Sequence, residues 1–148
     1  MLQLGRADFT CGRTSYLDAV RGYQESTAKI FVKAFIEGRI DYSFYAQLDT
    51  GAAWSILDPA LAQTLGLFDR GGRRTHLHTR FGRLDGLLVR STVTFLADVG
   101  DPLDTDATFF ISPNWPEGLN FLGYSGLLES IRFALDPQVN HFYFGPGA

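Results

Sequence analysis

One stretch restricts this chain more than any other: Ala46-Gln47-Leu48-Asp49-Thr50-Gly51-Ala52-Ala53-Trp54-Ser55-Ile56-Leu57. A run rich in strand-forming residues delivers a carboxylate. Thr, Gly and small residues follow, and then a second apolar run. A carboxylate at a strand end stands on rigid backbone, where its position can be held tightly. Gly51 has no Cβ, so other backbone can approach the acid closely. The bland alternative is an Asp in a tight turn that caps the next segment.

The remaining residues supply strands around this loop. From Ala28 to Glu37, Ile30, Val32, Ala34 and Ile36 alternate with Phe31, Lys33, Phe35 and Glu37, which is strand periodicity. Glu37-Gly38-Arg39 supplies a turn, and Ile40–Leu48, rich in Tyr and Phe, a second strand. After Ser55-Ile56-Leu57, Asp58-Pro59 opens a helix, with Asp58 as N-cap and Pro59 at the first helical position. Leu61 and Leu65 share its face and Gly66 closes it; Arg70 to Arg74 reads as a loop. Thr75–Phe81 and Leu87–Leu96 read as strands around a turn at Gly82-Arg83-Leu84-Asp85-Gly86. Gly100 to Asp104 reads as a turn, Ala107–Ile111 as a strand and Ser112–Gly118 as a loop. A short helix is expected near Gly126–Ser130, then a closing hairpin of Ile131–Leu135 and His141–Phe144. At the N-terminal end, Ser15 to Arg21 fits a short helix, with Ser15 as cap, Asp18 three residues on and Gly22 as stop. The expected organisation is an N-terminal extension over residues 1–26 and a domain over 27–148. Short strands, one or two short helices and regular turn signals predict a mainly β, closed barrel.

Composition narrows the function classes. The 148 residues are enough for one domain with a core, and 45% hydrophobic content with thirteen Phe excludes a disordered chain. A net charge of -3 gives no overall basic field for nucleic acid; Arg70, Arg73, Arg74 and Arg80 form a local run that by itself reads as a solvated face. The single cysteine, Cys11, excludes an intrachain disulfide and lacks the surroundings of a nucleophile. No apolar run is long enough to span a membrane, and Met1–Cys11 lacks a secretory core, so a cytoplasmic location and no membrane partner are expected. His76 and His78 alternate on one strand face, with His141 the only other histidine. Zinc-ligand spacings are missing, so neither a metal nor another cofactor is expected.

Far downstream, Asn120-Phe121-Leu122-Gly123 places two apolar residues before a Gly. With Asp49-Thr50-Gly51-Ala52 before it, this pair of motifs resembles the retropepsins, the single-domain, retroviral type of aspartic protease. The resemblance runs over about residues 28–132. It implies a closed acid-protease barrel with a flap hairpin, and an aspartic endopeptidase that binds an extended peptide or protein substrate. In that chemistry two carboxylates share a proton: one activates water and the other donates to the scissile carbonyl. This chain carries one Asp-Thr-Gly. The resemblance therefore implies a homodimer, with Asp49 of each copy meeting across a two-fold axis. Thr50 would bond across the axis and Gly51 admit substrate. Ala52, Ala53, Trp54, Ile56, Phe121 and Leu122 would line or back the substrate channel. Leu84, Asp85 and Gly86 would form the flap tip and contact substrate, with Leu84 and Asp85 lining side-chain pockets. A catalytically inactive peptide-binding or dimerisation module is the rival.

Two departures matter. Retroviral enzymes carry an Asp two residues after the loop Gly and an Arg after the distal Gly, which pair; here the positions hold Ala53 and Tyr124. Both charges are missing together, so neither is stranded. Leu103-Asp104-Thr105-Asp106-Ala107 imitates the catalytic loop but has Asp106 in place of Gly, and reads as a turn preceding a strand. Ala52 offers no hydroxyl to the carboxylate, which favours activity in mild rather than strong acid.

Overall fold

The computed structural model describes residues 1–20, 28–80 and 82–147. In chain order its strands are β1 (Gln3–Leu4), β2 (Ala7–Asp8), β3 (Gly12–Ser15), β4 (Phe31–Ile36), β5 (Phe44–Leu48) and β6 (Ser55–Ile56). Helix α1 (Pro59–Thr64) is followed by β7 (Arg73–Thr79), β8 (Gly82–Phe95), β9 (Val99–Gly100), β10 (Leu103–Ile111), β11 (Phe121–Leu122), β12 (Ile131–Asp136) and β13 (His141–Pro146). Six strands run in the order β10-β6-β11-β5-β4-β8, and pairing of β8 with β10 closes them into a barrel. β7 hangs outside the ring on β8. A second sheet, β12-β13-β3-β9, packs against the barrel.

Inward-facing apolar residues of both sheets fill one core. Phe95 of the barrel meets Phe142 and Phe144 of the second sheet at ring separations of 5.7 and 5.6 Å. All three are fully buried, and each stabilises the fold by roughly 1.5–3 kcal/mol. Helix α1 starts and stops as its sequence requires: the Asp58 carboxylate accepts from the Ala60 N–H at 2.7 Å, and Gly66 leaves in the left-handed region at φ +71°. Among the described residues no helix is long and apolar enough to cross a membrane.

Four local expectations need correction. Ser15–Val20 is not a helix: Ser15 ends β3, and Leu17 exchanges backbone hydrogen bonds with Phe31 at 3.0 and 2.9 Å. Pairing with a distant strand outweighs the weak local capping signal; Arg21 and Gly22 lie outside the described residues. Ile40–Tyr42 form a 3-10 turn rather than the start of β5. Positive φ at Glu37 and Gly38 turns the chain sharply, and Ile40 and Tyr42 stay at the surface while Phe44 is the first side chain to reach the core. The segment Leu103–Asp106 belongs to β10 from its first residue, because Leu103 pairs Phe95 and Asp104 pairs Thr94. Likewise Arg73 and Arg74 already belong to β7.

Glu37 also carries a stability device. Its carboxylate takes a bidentate ion pair from the Arg70 guanidinium and a hydrogen bond from the Ser91 hydroxyl at 2.9 Å. The Arg70 contact holds the Glu37 carboxyl below the usual range; burial opposes this and the Ser91 bond adds to it. A folded-state value below the unfolded one gives stability that is present at neutral pH and is lost as pH falls through the folded value. Both side chains are about a third exposed, so solvent screening limits the gain to under ~1 kcal/mol. Glu37→Gln should lower the urea midpoint at pH 7, and the gap to the parent should close in acid.

Candidate active site

The Asp49 loop is held by an inserted strand. β11 runs parallel to β5, with Phe121 opposite Gln47 and Leu122 opposite Leu48, and antiparallel to β6, with Phe121 opposite Ile56. Residues 49–54 therefore leave one neighbour of β11 and return as the other. Backbone bonds fix the loop to the end of β11: Asp49 N–H donates to Leu122 O at 3.0 Å, Tyr124 N–H to Ala52 O at 2.9 Å and Ser125 N–H to Ala53 O at 2.9 Å. Of the two departures from the retroviral pattern, Tyr124 is thus tied by backbone to Ala52 and Ala53 to Ser125 within one chain.

Within the loop, Gly51 N–H donates to Asp49 Oδ1 at 2.9 Å, and Ala52 N–H to Asp49 O at 3.2 Å. One carboxylate oxygen is oriented by the fold; no ion pair engages Asp49 among the described residues. The Asp49 side chain is half-buried, while Thr50, Gly51 and Ala53 are exposed. An oriented acid on an exposed loop is open to water, to substrate or to a second acid brought by another molecule.

Trp54, Ile56, Leu84 and Phe121 come together. Ile56, Leu84, Phe110 and Trp115 form a small buried cluster, against which Trp54, Leu77 and Phe121 pack. Trp115 stands edge-on to Phe121 at 5.8 Å and donates from its indole N–H to Leu119 O at 2.8 Å. Leu122, by contrast, is fully buried in the main core behind the loop.

The β7–β8 hairpin overhangs this cluster, but its turn is not where the glycines suggested. Thr79 pairs Gly82, so the chain reverses between them, and Leu84, Asp85 and Gly86 lie within strand β8 instead of at a tip. Residues 82–86 pair with β7 alone; pairing with β10 begins at Leu87. A Cβ on Gly86 would stand 2.3 Å from Ile111 O and 2.7 Å from the Phe110 ring, so this glycine serves close approach rather than a turn. Gly82, at φ +93°, meets the demand of the reversal. Alternation along β8 also separates Leu84 from Asp85: Leu84 faces the cluster and Asp85 the outside. The Ser112 hydroxyl donates to Asp85 O at 2.7 Å and pins the base of the hairpin.

Sequence reasoning missed Ser55. It is fully buried, and its Oγ accepts from Gly123 N–H at 2.9 Å, linking β6 to the end of β11. A small polar residue at the head of an apolar strand was the available signal. His76 and His78 stand 5.4 Å apart on β7, whereas His141 lies in the other sheet. Among the described residues no group of three or more His, Cys, Asp or Glu side chains could hold a metal ion.

The closed six-strand barrel, the strand inserted beneath an Asp-Thr-Gly loop and the overhanging hairpin make a retropepsin-like fold. The crystal structure of a retropepsin-like aspartic protease from Rickettsia conorii superposes with a TM-score of 0.60 at 18% identity, covering 92% of each chain. No protein-family model and no curated protein matches the sequence.

Proposed function

We propose that this protein is an aspartic endopeptidase that works as a homodimer. The supporting observation is the Asp49 carboxylate, oriented by Gly51 N–H on an exposed loop at the barrel's end. Asp49 of each copy meets across the two-fold axis, one ionised to take a proton from water and one neutral to donate to the scissile carbonyl. Two like charges so close do not both ionise, so the pair titrates as a unit. Thr50 joins the two loops, and Gly51 gives the substrate backbone room. Ala52, Ala53 and Trp54 border the channel, with Ile56 and Phe121 beside it and Leu122 behind. The substrate lies extended beneath the β7–β8 hairpin, with Leu84 facing it, and Gly86 lets the hairpin root sit close to β10. Dimer support comes from Tyr124, Trp54 or the terminal segments rather than from an Asp–Arg pair.

Incubation with a diverse peptide mixture across pH, with and without a statine inhibitor, tests the reading. Cleavage with a maximum in mild acid, blocked by the inhibitor, is expected. Binding without cleavage at any pH would assign the chain to the rival class, an inactive peptide-binding module. Sedimentation provides a second check: a strict monomer throughout the active concentration range is incompatible with the shared dyad.

A further inference from the structure

The outer face of the β7–β8 hairpin carries a second built surface. Pairing of Arg74 with Leu87, His76 with Asp85 and His78 with Arg83 puts these side chains opposite the face of Leu77 and Leu84. A groove of about 630 Å³ opens there, with Arg74, His76, Arg83 and Asp85 on its walls and Phe68 and Leu87 among its apolar lining. None of its lining residues belongs to the Asp49 loop or to Phe121–Gly123.

The charges in the groove are unequal. Arg83 stands 3.5 Å from Asp85, the groove's one carboxylate among the described residues. Arg74 has no carboxylate partner among the described residues. The chain as a whole carries a net charge of -3, so this positive wall is a local feature. In sequence the arginine run read as a solvated face; in the fold Arg74 stands over an apolar floor. β7 is also the outermost strand of its sheet, bonded only to β8 among the described residues. Such an edge can accept an added extended strand. A guanidinium binds a carboxylate through paired hydrogen bonds, and the floor suits an apolar neighbour of that carboxylate.

We propose that this groove is an accessory docking site for an acidic, extended peptide segment, with Arg74 and His76 seating a carboxylate and the apolar floor taking an adjacent aromatic or aliphatic side chain. Nucleic acid is a poorer fit, since it needs a broad basic stripe instead of one wall. The surface does not depend on the hydrolytic reading and is tested without it.

The experiment uses the full chain as the Asp49→Asn variant, so that no cleavage intervenes. Fluorescence anisotropy at low salt follows three labelled peptides: Glu-Phe-Glu-Phe-Glu and its Gln and Lys counterparts. The acidic peptide should bind at least about tenfold more tightly than the neutral one, and the preference should fade with salt. Arg74→Glu should abolish that preference and turn it toward the Lys peptide. Asp85→Asn should tighten acidic binding several-fold, because it removes the competing carboxylate. A charged edge that only repels other strands has no such gain. Thermal melts of each variant separate lost binding from lost fold, and the milder Arg74→Gln repeats the test if Arg74→Glu does not fold. Equal binding of the three peptides, or acidic binding unchanged in Arg74→Glu, overturns the proposal. So does a change in sedimentation in place of peptide binding, which would make the groove a contact between copies.

Discussion

Asp49→Asn should reduce peptide cleavage by about 10²–10⁴-fold while fold and dimer persist, the range that loss of an acid–base group costs. Asn has nearly the same shape, and its carbonyl oxygen can still accept from Gly51 N–H, the bond that orients Asp49 Oδ1 at 2.9 Å. Stability should therefore stay within about 0.5 kcal/mol of the parent, as at other partly exposed positions without a buried network. What Asn cannot do is take a proton from water. In a symmetric dimer both copies lose the acid at once, so no half-active species remains. The comparison that decides is kcat/KM on one good peptide substrate, beside a urea midpoint and a sedimentation profile. Cleavage within tenfold of the parent would remove Asp49 from the chemistry. Loss of cleavage together with loss of dimer would leave its role structural.

The barrel was legible because short strand-forming runs, with apolar alternation clearest at residues 28–37, are separated by turn residues, and because Asp58-Pro59 and Gly66 punctuate α1 in ways local chemistry enforces. Errors arose where distant partners override local signals. Gly82 to Gly86 looks like a turn, yet only Gly82 takes a turn's backbone angle; Gly86 is glycine because Ile111 O and the Phe110 ring occupy the place of its Cβ. That requirement comes from a strand remote in sequence. The same holds for Ser15–Val20, where Phe31 takes the backbone bonds that a helix would have used. At the candidate site, Asp49, Thr50 and Gly51 announce themselves by chemistry. Ser55 does not, because its role exists only once Gly123 is folded against it. Leu84 and Asp85 are adjacent in sequence, but strand alternation sends them to opposite faces, and only the register reveals which side each occupies.

Gly123→Ala should be among the most destabilising single-methyl additions in this protein. The added Cβ would stand 2.4 Å from Trp54 C, 2.5 Å from Trp54 O and 2.8 Å from Ser55 N. All three atoms are backbone, so no rotamer change relieves the clash and β6 must move away from β11. Overpacking of this kind costs 1–3 kcal/mol and occasionally more; with only backbone to displace, a loss of about 3 kcal/mol is expected. The movement also reaches the acid. Separation of the strands lengthens the Gly123 N–H to Ser55 Oγ bond of 2.9 Å, and Asp49 N–H hangs on Leu122 O one residue before Gly123. Gly51→Ala makes a useful contrast, since its Cβ would meet only one side-chain atom, Asp49 Oδ1, at 3.2 Å. Ser55→Ala isolates the polar part: it leaves the Gly123 N–H buried without its acceptor, at a cost of about 1–3 kcal/mol. The expected order of stability loss by urea denaturation is therefore Gly123→Ala at or above Ser55→Ala, and both above Gly51→Ala. A Gly123→Ala protein within 1 kcal/mol of the parent would mean that β11 is not clamped between β5 and β6, and the rigid seat assigned to Asp49 would go with it.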